Sequence, residues 1–563
     1  MINSCYWLIN PEWYFCLSTS APEDIKIFGF AEFLAALALL VIVFTTADAR
    51  YKFRTAITPL PIYGLTFFVI GTVGLGTLLT ELWSTEGWYI IQNNIISRGV
   101  WAATLGLTFL LTLLIWLWFA FISPPKFNKW NAEKFAREIY KAILRSNETE
   151  LGIISDELER SVGNLIRYTY TNYERINLEK NGKPGDVTKG CAYDLLLLIA
   201  NKKFCSSLIK NSSGTAIKIL HEIIIQHRQD IPIGNFIVNL SSEAISNKNS
   251  LLHDELTSDQ YDFISYTKPL SNALFGNFLL IKELGKNHCS PLDINYFARA
   301  DWSSSNWKAY CQVSLLAISS YLDKTKGNEF SSEIYRAFVR IKSALSDLHK
   351  LNGRTDDFYN TEIYERFQSV INFINDLKKL LENHEGSIVY RLRLKSSFQN
   401  KDIYDLVAEL MFDLIQAGSN IKGPIWTAWG IQHNSIWSTC FESFSASKTE
   451  KILKFKLRRL IYDEVKQIPG MPNYLNAKIL GLCLNVMGLK ERQASYAKGY
   501  RPLHKAILKL TTDHYRWLSV NYPEIAEEVL IGGISFNLMN YQLVKTYTQG
   551  IGQKTPNTET LQV

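Results

Sequence analysis

The residues of this chain that could hold a metal are few and widely spaced: His227, the doublet His253-Asp254 in SLLHDELTSD, and a later acid, Asp293. Imidazoles and carboxylates can hold a divalent cation that activates water for attack at phosphorus. The alternative for the doublet is structural, a helix start with its acids near the positive end of the dipole. His221 and His227 are six residues apart, about 120° from facing the same way on a helix, and make a poor ligand pair. No G-x-x-x-x-G-K-[ST], H-E-x-x-H or Gly-x-Ser-x-Gly occurs, no G-x-G-x-x-G follows a strand, and no Cys/His cluster has zinc spacing. No motif calls for a cofactor.

The order His227, His253-Asp254, Asp293 faintly resembles that of the HD-type metal-dependent phosphohydrolases, which would imply a membrane-tethered hydrolase. The doublet here lacks the small residues that often follow it in that family. A second cluster is cationic: Lys451, Lys454, Lys456, Arg458 and Arg459 in KTEKILKFKLRRLIYDEVKQ, with Leu453, Leu457, Leu460 and Ile461 as the apolar stripe. Such a helix can lie on an anionic surface. The alternative is a core-facing stripe with a solvated cationic back.

Behind these residues lies a sharp division of the chain. Up to Pro125 there are 5 Lys/Arg and 7 Asp/Glu, leaving 55 and 46 for the remainder. That modest excess fits an anionic membrane surface better than nucleic acid, which calls for a clustered basic stripe. A helix crosses a hydrocarbon core of roughly 30 Å with about 20 apolar residues. Three stretches meet that composition, 27–46, 56–80 and 99–123. Trp116, Trp118, Phe119 and Phe121 have the rings expected at headgroup depth, and Pro124 and Pro125 stop the helix.

The link after the first stretch holds Arg50, Lys52 and Arg54. The link after the second holds Glu81, Glu86 and only Arg98, while Lys126, Lys129, Lys134 and Arg137 follow the third. The positive-inside rule then places residues 1–26 outside and everything after 125 in the cytoplasm of a bacterial inner membrane. Acids at Glu12, Glu23 and Asp24 are wrong for a signal peptide. An oxidising exterior permits a Cys5–Cys16 bridge, the alternative being two free thiols on the membrane, while the remaining six cysteines stay reduced. Glu32 is a polar group within the first stretch, near its outer end and within reach of the interface. Gly64, Gly71 and Gly74 let the second stretch approach another helix closely, in the same bundle or in a second subunit.

The cytoplasmic part reads as mainly α. Leu151, Leu158 and Leu165 recur at sevens, so 126–180 forms either a stalk or two helices folded back. Helical domains are expected over 187–351 and 360–548, with NGRTDDFYN between them as a boundary or an internal loop. Ile233–Leu240 and SIVYRLRLK carry the strand signals, and 549–563 reads as a disordered tail.

By layout alone the chain resembles membrane-anchored effectors of bacterial defence systems, which impair the membrane when triggered; no motif carries that likeness. It implies a sensor or effector that binds an unidentified cytoplasmic protein or small-molecule signal and acts, as a homo-oligomer in the lipid bilayer, through its spans. A passive scaffold shares every one of these sequence features.

Overall fold

The computed structural model describes residues 4–7, 14–19, 28–46, 48–86, 88–92, 98–181, 184–257, 266–294, 299, 301–327, 329–354, 357–388, 390–392, 401–442, 447–491, 498–547 and 556–563. Within these the chain is predominantly helical, and it divides into two compact units, Met1–Phe236 and Ile237–Val563.

The first unit begins with strands β1 (Ser4–Trp7) and β2 (Tyr14–Thr19), followed by α1 (Phe30–Thr46), α2 (Ala49–Ala56) and α3 (Ile62–Thr85). Strand β3 (Tyr89–Gln92) and α4 (Arg98–Leu117) come next, with a π-helical turn at Trp118–Ile122. β1 and β3 flank β2 in an antiparallel sheet, so the N-terminal hairpin and the α3–α4 link lie together. At the other end of the bundle, α2 packs against α5 (Ala132–Arg145) and α6 (Glu148–Glu159).

Two helical stretches, Ile62–Thr85 and Gly99–Ile122, are long and apolar enough to cross a membrane. The expected third, 27–46, is not one of them among the described residues. α1 starts at Phe30 and has 17 residues. At 1.5 Å per residue it is about 25 Å long, short of the roughly 30 Å core. Glu32 falls in its first turn and accepts the Gly29 N–H at 2.9 Å, which makes it an end-of-helix group. Trp116 is also corrected. It is 3% exposed and meets the Phe44 ring edge-on at 5.1 Å, because a tryptophan facing the neighbouring helices is bundle core rather than headgroup belt.

The bundle is covered only on its inside. Phe33, Leu40, Val73 and Phe109 form one apolar cluster, and Ile62, Trp116 and Ala120 another. On the outside Leu39, Phe67, Phe68, Leu75 and Ile122 are exposed, Phe67 to 82%.

β1 and β2 pair in a register that sets Cys5 opposite Cys16. Directly opposed Cα positions fall within the span a disulfide bridges. We expect the full chain, denatured without reductant, to give six alkylated thiols and all eight only after reduction; eight without reduction would refute the bridge.

Residues 126–180 fold back rather than form a stalk. α5 packs on α6 and α9 (Val187–Ile199), and α6 packs on α10 (Lys202–Asn211) and α11 (Ser213–Ile225). Leu151, Leu158 and Leu165 are fully buried in this body. α7 (Val162–Tyr168) and α8 (Asn172–Asn181) complete the run.

The second unit is built round the helix Lys448–Val465, which packs on Ile403–Gly418, Glu362–Asn383, Tyr474–Met487 and Arg501–Asn521. Its start is capped by the Ser447 side chain, which accepts the Glu450 N–H. The expected boundary at 352–360 is an internal loop: Asn352 Oδ1 accepts the N–H groups of Lys422 and Gly423 at 2.8 and 3.2 Å, tying it to the far side of the same unit. Two strand readings change. Ile233–Leu240 lies largely in the helix Gly234–Ser246, its apolar run being a buried helix face. Part of the expected disordered tail, Thr558–Gln562, is β6 of an antiparallel sheet with β4 (Ile534–Asn537) and β5 (Gln542–Thr546), where backbone pairing needs few apolar side chains. The described residues of SIVYRLRLK, 387–388 and 390–392, form no strand; its other four residues and 549–555 lie outside the described residues.

Candidate functional site

The densest set of polar contacts around the apolar bundle gathers on α2, the eight-residue link between α1 and α3. Asp48 caps it by accepting the Ala49 N–H at 2.7 Å. Its amphipathic sequence, ARYKFRTA, buries Phe53, Arg54 and Thr55. The Phe53 ring stands edge-on to Phe135 of α5 at 5.7 Å.

Arg54 is the centre of the junction. Nε and Nη2 donate to the two carboxylate oxygens of Glu157 on α6, at 2.8 and 2.7 Å. Nη1 donates to the Ala120 carbonyl at 2.8 Å, inside the π-helical turn that ends the last apolar helix. The side chains of Arg54 and Glu157 are 7% and 5% exposed. A planar guanidinium can satisfy a carboxylate fork and a third acceptor at once, which a lysine cannot. The Glu157 hydrogen bond raises the Arg54 pKa, against the opposing effect of burial. Arg50 adds a looser approach to Glu157 at 3.4 Å.

Two residues of α5 and its approach hold the end of α2. Asn131 Nδ2 donates to the Ile57 and Lys126 carbonyls, both at 3.0 Å. Lys134 Nζ donates to Thr58 and Pro59 carbonyls at 3.0 and 2.8 Å, a cation beside the negative end of a helix. Above this junction opens a cavity of about 880 Å³, walled by apolar residues of α1, α3 and α4 and rimmed by charged residues of α2, α5 and α6.

The chain matches no known family model and no curated protein.

The residues singled out in the sequence fare differently. His227 follows α11, with φ 52°, and is exposed, in the first unit. His253, Asp254 and Asp293 belong to the second. His253 is buried, with Nε2 2.8 Å from the Ile245 carbonyl oxygen, which makes that nitrogen the donor. Asp254 sits exposed in the first turn of Leu251–Thr257, the helix-start position. Asp293 is taken by arginines: Arg336 forks onto it at 2.9 and 3.0 Å, and Arg340 reaches it at 2.8 Å. Among the described residues no group of three His, Cys, Asp or Glu could hold a metal. The phosphohydrolase resemblance therefore fails at its site, because its one buried acid already neutralises two cations.

Burial alone would raise the Asp293 pKa, but the Arg336 hydrogen bond, the Arg340 and Arg336 charges and the Ser290 N–H together hold it below the ordinary carboxylate value. A depressed folded-state pKa contributes stability above the unfolded value, about 3.9, that is lost as pH falls through the folded one. Asp293→Asn should therefore lower stability at pH 7, and its deficit should shrink below about pH 4, as read by denaturant titration across pH. A deficit that does not change with pH would exclude this account.

The cationic cluster divides. Lys456 is fully buried between Asp405 at 2.5 Å and Asp402 at 3.4 Å. Lys454 faces Glu450, and Arg458 donates to the Gly499 carbonyl at 3.0 Å. Lys451 and Arg459 are exposed, Arg459 paired with Asp463 at 2.9 Å. Lys454 and Lys456 therefore answer acids of their own unit, while Lys451 and Arg459 stay at the surface.

The three glycines separate. A Cβ on Gly74 would lie 2.9 Å from the Phe33 ring, so this glycine admits α1. Gly64 and Gly71 face open space.

The sequence reading missed the partner of Arg54, which it counted only as one of three link cations. Glu157 carries little signal, since it lies one position off the Leu151–Ile154–Leu158 stripe and reads as solvated. Glu255, beside the doublet, was missed too. It is fully buried, and its carboxylate accepts the Leu270 and Ser271 N–H groups at 2.7 and 2.8 Å.

Proposed function

We propose that this chain is a membrane-anchored sensor or effector of a bacterial inner membrane. In this reading its helical body binds a cytoplasmic protein or small-molecule signal and acts through the short N-terminal bundle. The observation that carries it is the largely apolar outside of α1, α3 and α4, where Leu39, Phe67, Phe68, Leu75 and Ile122 are exposed. Monomeric soluble proteins rarely present such a patch beyond a few hundred Å².

The orientation has the N-terminal hairpin and β3 outside, with α2 and everything from 126 in the cytoplasm. The cations Arg50, Lys52, Arg54, Lys126 and Lys134 favour it. So does the sorting of the links, β3 with the N-terminal sheet and α2 with α5 and α6. α1 completes the passage if the bilayer thins locally around it, a modest cost per ångström of mismatch. Trp130, 84% exposed beside the junction, is suited to the headgroup layer. The homo-oligomer in this reading packs through the α3 face bearing Gly64 and Gly71.

An effector is favoured over a passive scaffold by the three-way Arg54 contact, since a tether does not require its last helical turn to be fixed to the body. Layout is what suggests a defence role, in which triggering impairs the membrane. The test replaces residues 1–125 with an unrelated three-span anchor and follows membrane potential on induction. The native chain should depolarise cells and the chimera should not. Unchanged potential with both, alongside a working chimera, would leave the scaffold as the correct reading.

A further inference from the structure

The cavity above the junction has features that an apolar groove between packed helices would not need. Its deep wall is apolar, with Leu37, Leu40 and Phe44 of α1 and Ile70 of α3. Its cytoplasm-proximal rim is charged: Lys52 of α2, Glu138, Lys141 and Arg145 of α5, and Glu150 of α6. Lys141 and Glu138 neutralise each other at 2.6 Å. Among the described residues, neither Lys52 nor Arg145 is in an ion pair, so three cations against two carboxylates leave one net positive charge. Val41 and Phe67 at the side are exposed, so the groove opens laterally onto the apolar outside of the bundle.

A volume of about 880 Å³ is in the range of small-molecule sites.

We propose that this cavity binds one anionic phospholipid of the cytoplasmic leaflet. An acyl chain lies among Leu37, Leu40, Phe44 and Ile70. The phosphate meets Lys52 and Arg145 at the charged rim. The inference rests on the reading that the bundle sits in a bilayer. A bound lipid would touch α1, α2, α3 and α5 together, which makes the site a place where membrane composition can act on the Arg54 junction.

The test uses the full chain in detergent and native mass spectrometry with added phosphatidylglycerol or zwitterionic phosphatidylcholine. One phosphatidylglycerol should bind per chain, saturably, and inorganic phosphate in excess should not displace it. Lys52→Glu with Arg145→Glu should weaken it by about 30-fold or more, from roughly 1 kcal/mol per cation near a lipid surface. Ile70→Trp, which fills the apolar end and leaves the charges, should also abolish binding. Unchanged helix content by circular dichroism separates these effects from misfolding. Equal binding of both lipids, displacement by phosphate, or full binding by the charge-reversed chain would overturn the proposal. Alkaline carbonate extraction of cells reports on the bilayer reading separately: a chain that resists extraction yet binds no phosphatidylglycerol defeats this inference alone.

Discussion

Arg54→Ala is expected to destabilise the first unit by about 3–5 kcal/mol, because it leaves Glu157 buried without its cation. The Ala120 carbonyl loses its donor in the same step. Arg54→Lys should recover only part of the loss, since one ammonium cannot serve both Glu157 oxygens and a carbonyl on another helix. Arg54→Met combined with Glu157→Leu should be far milder than either single change, since a buried ion pair is often replaceable by apolar groups of similar volume. Thermal unfolding in detergent measures each of these variants beside the native chain. Equal damage from the double and single variants would show that the pair is not the source of the effect. The double variant also separates stability from signalling: if the junction carries the signal, it folds but no longer depolarises cells.

Lys456→Met is expected to cost the second unit a comparable 3–5 kcal/mol. Lys456 is entirely enclosed, and removing it strands Asp402 and Asp405 together, the latter 2% exposed. Burial already raises the Asp402 pKa despite the pull of Lys456. A folded-state carboxyl pKa above the unfolded value favours the fold increasingly as pH falls, so the deficit of Lys456→Met should narrow below about pH 5. Denaturant midpoints at pH 7 and at about pH 4 check this. A surface lysine would give a change within about 0.5 kcal/mol at both, and that outcome would return Lys456 to the exposed face.

These two residues show how the limits of the sequence arise. Arg54 was visible only as one of three link cations, and Lys456 only as a member of the cationic cluster on its helix, on the face read as membrane-bound or solvated. Neither pattern said what stood opposite. Glu157 lies 103 positions from Arg54 and Asp405 lies 51 from Lys456, so each pair exists only once the chain has folded.

The sequence by itself determined the features that depend on a residue and its near neighbours. Helical periodicity marked the body as mainly α, and two uncharged runs became the helices long enough to cross a bilayer. The position of Glu32 near a helix end also follows from local pattern. Tertiary structure decided what depends on distant partners. It shortened α1, turned Trp116 inward, folded 126–180 into a body, enclosed 352–360 within one unit and gave 558–562 a strand to pair with. It also assigned Asp293 to two arginines and dismantled the metal reading. Apolar spacing records which face of an element is buried, whereas ion pairing and sheet pairing depend on groups that only the folded chain brings within reach.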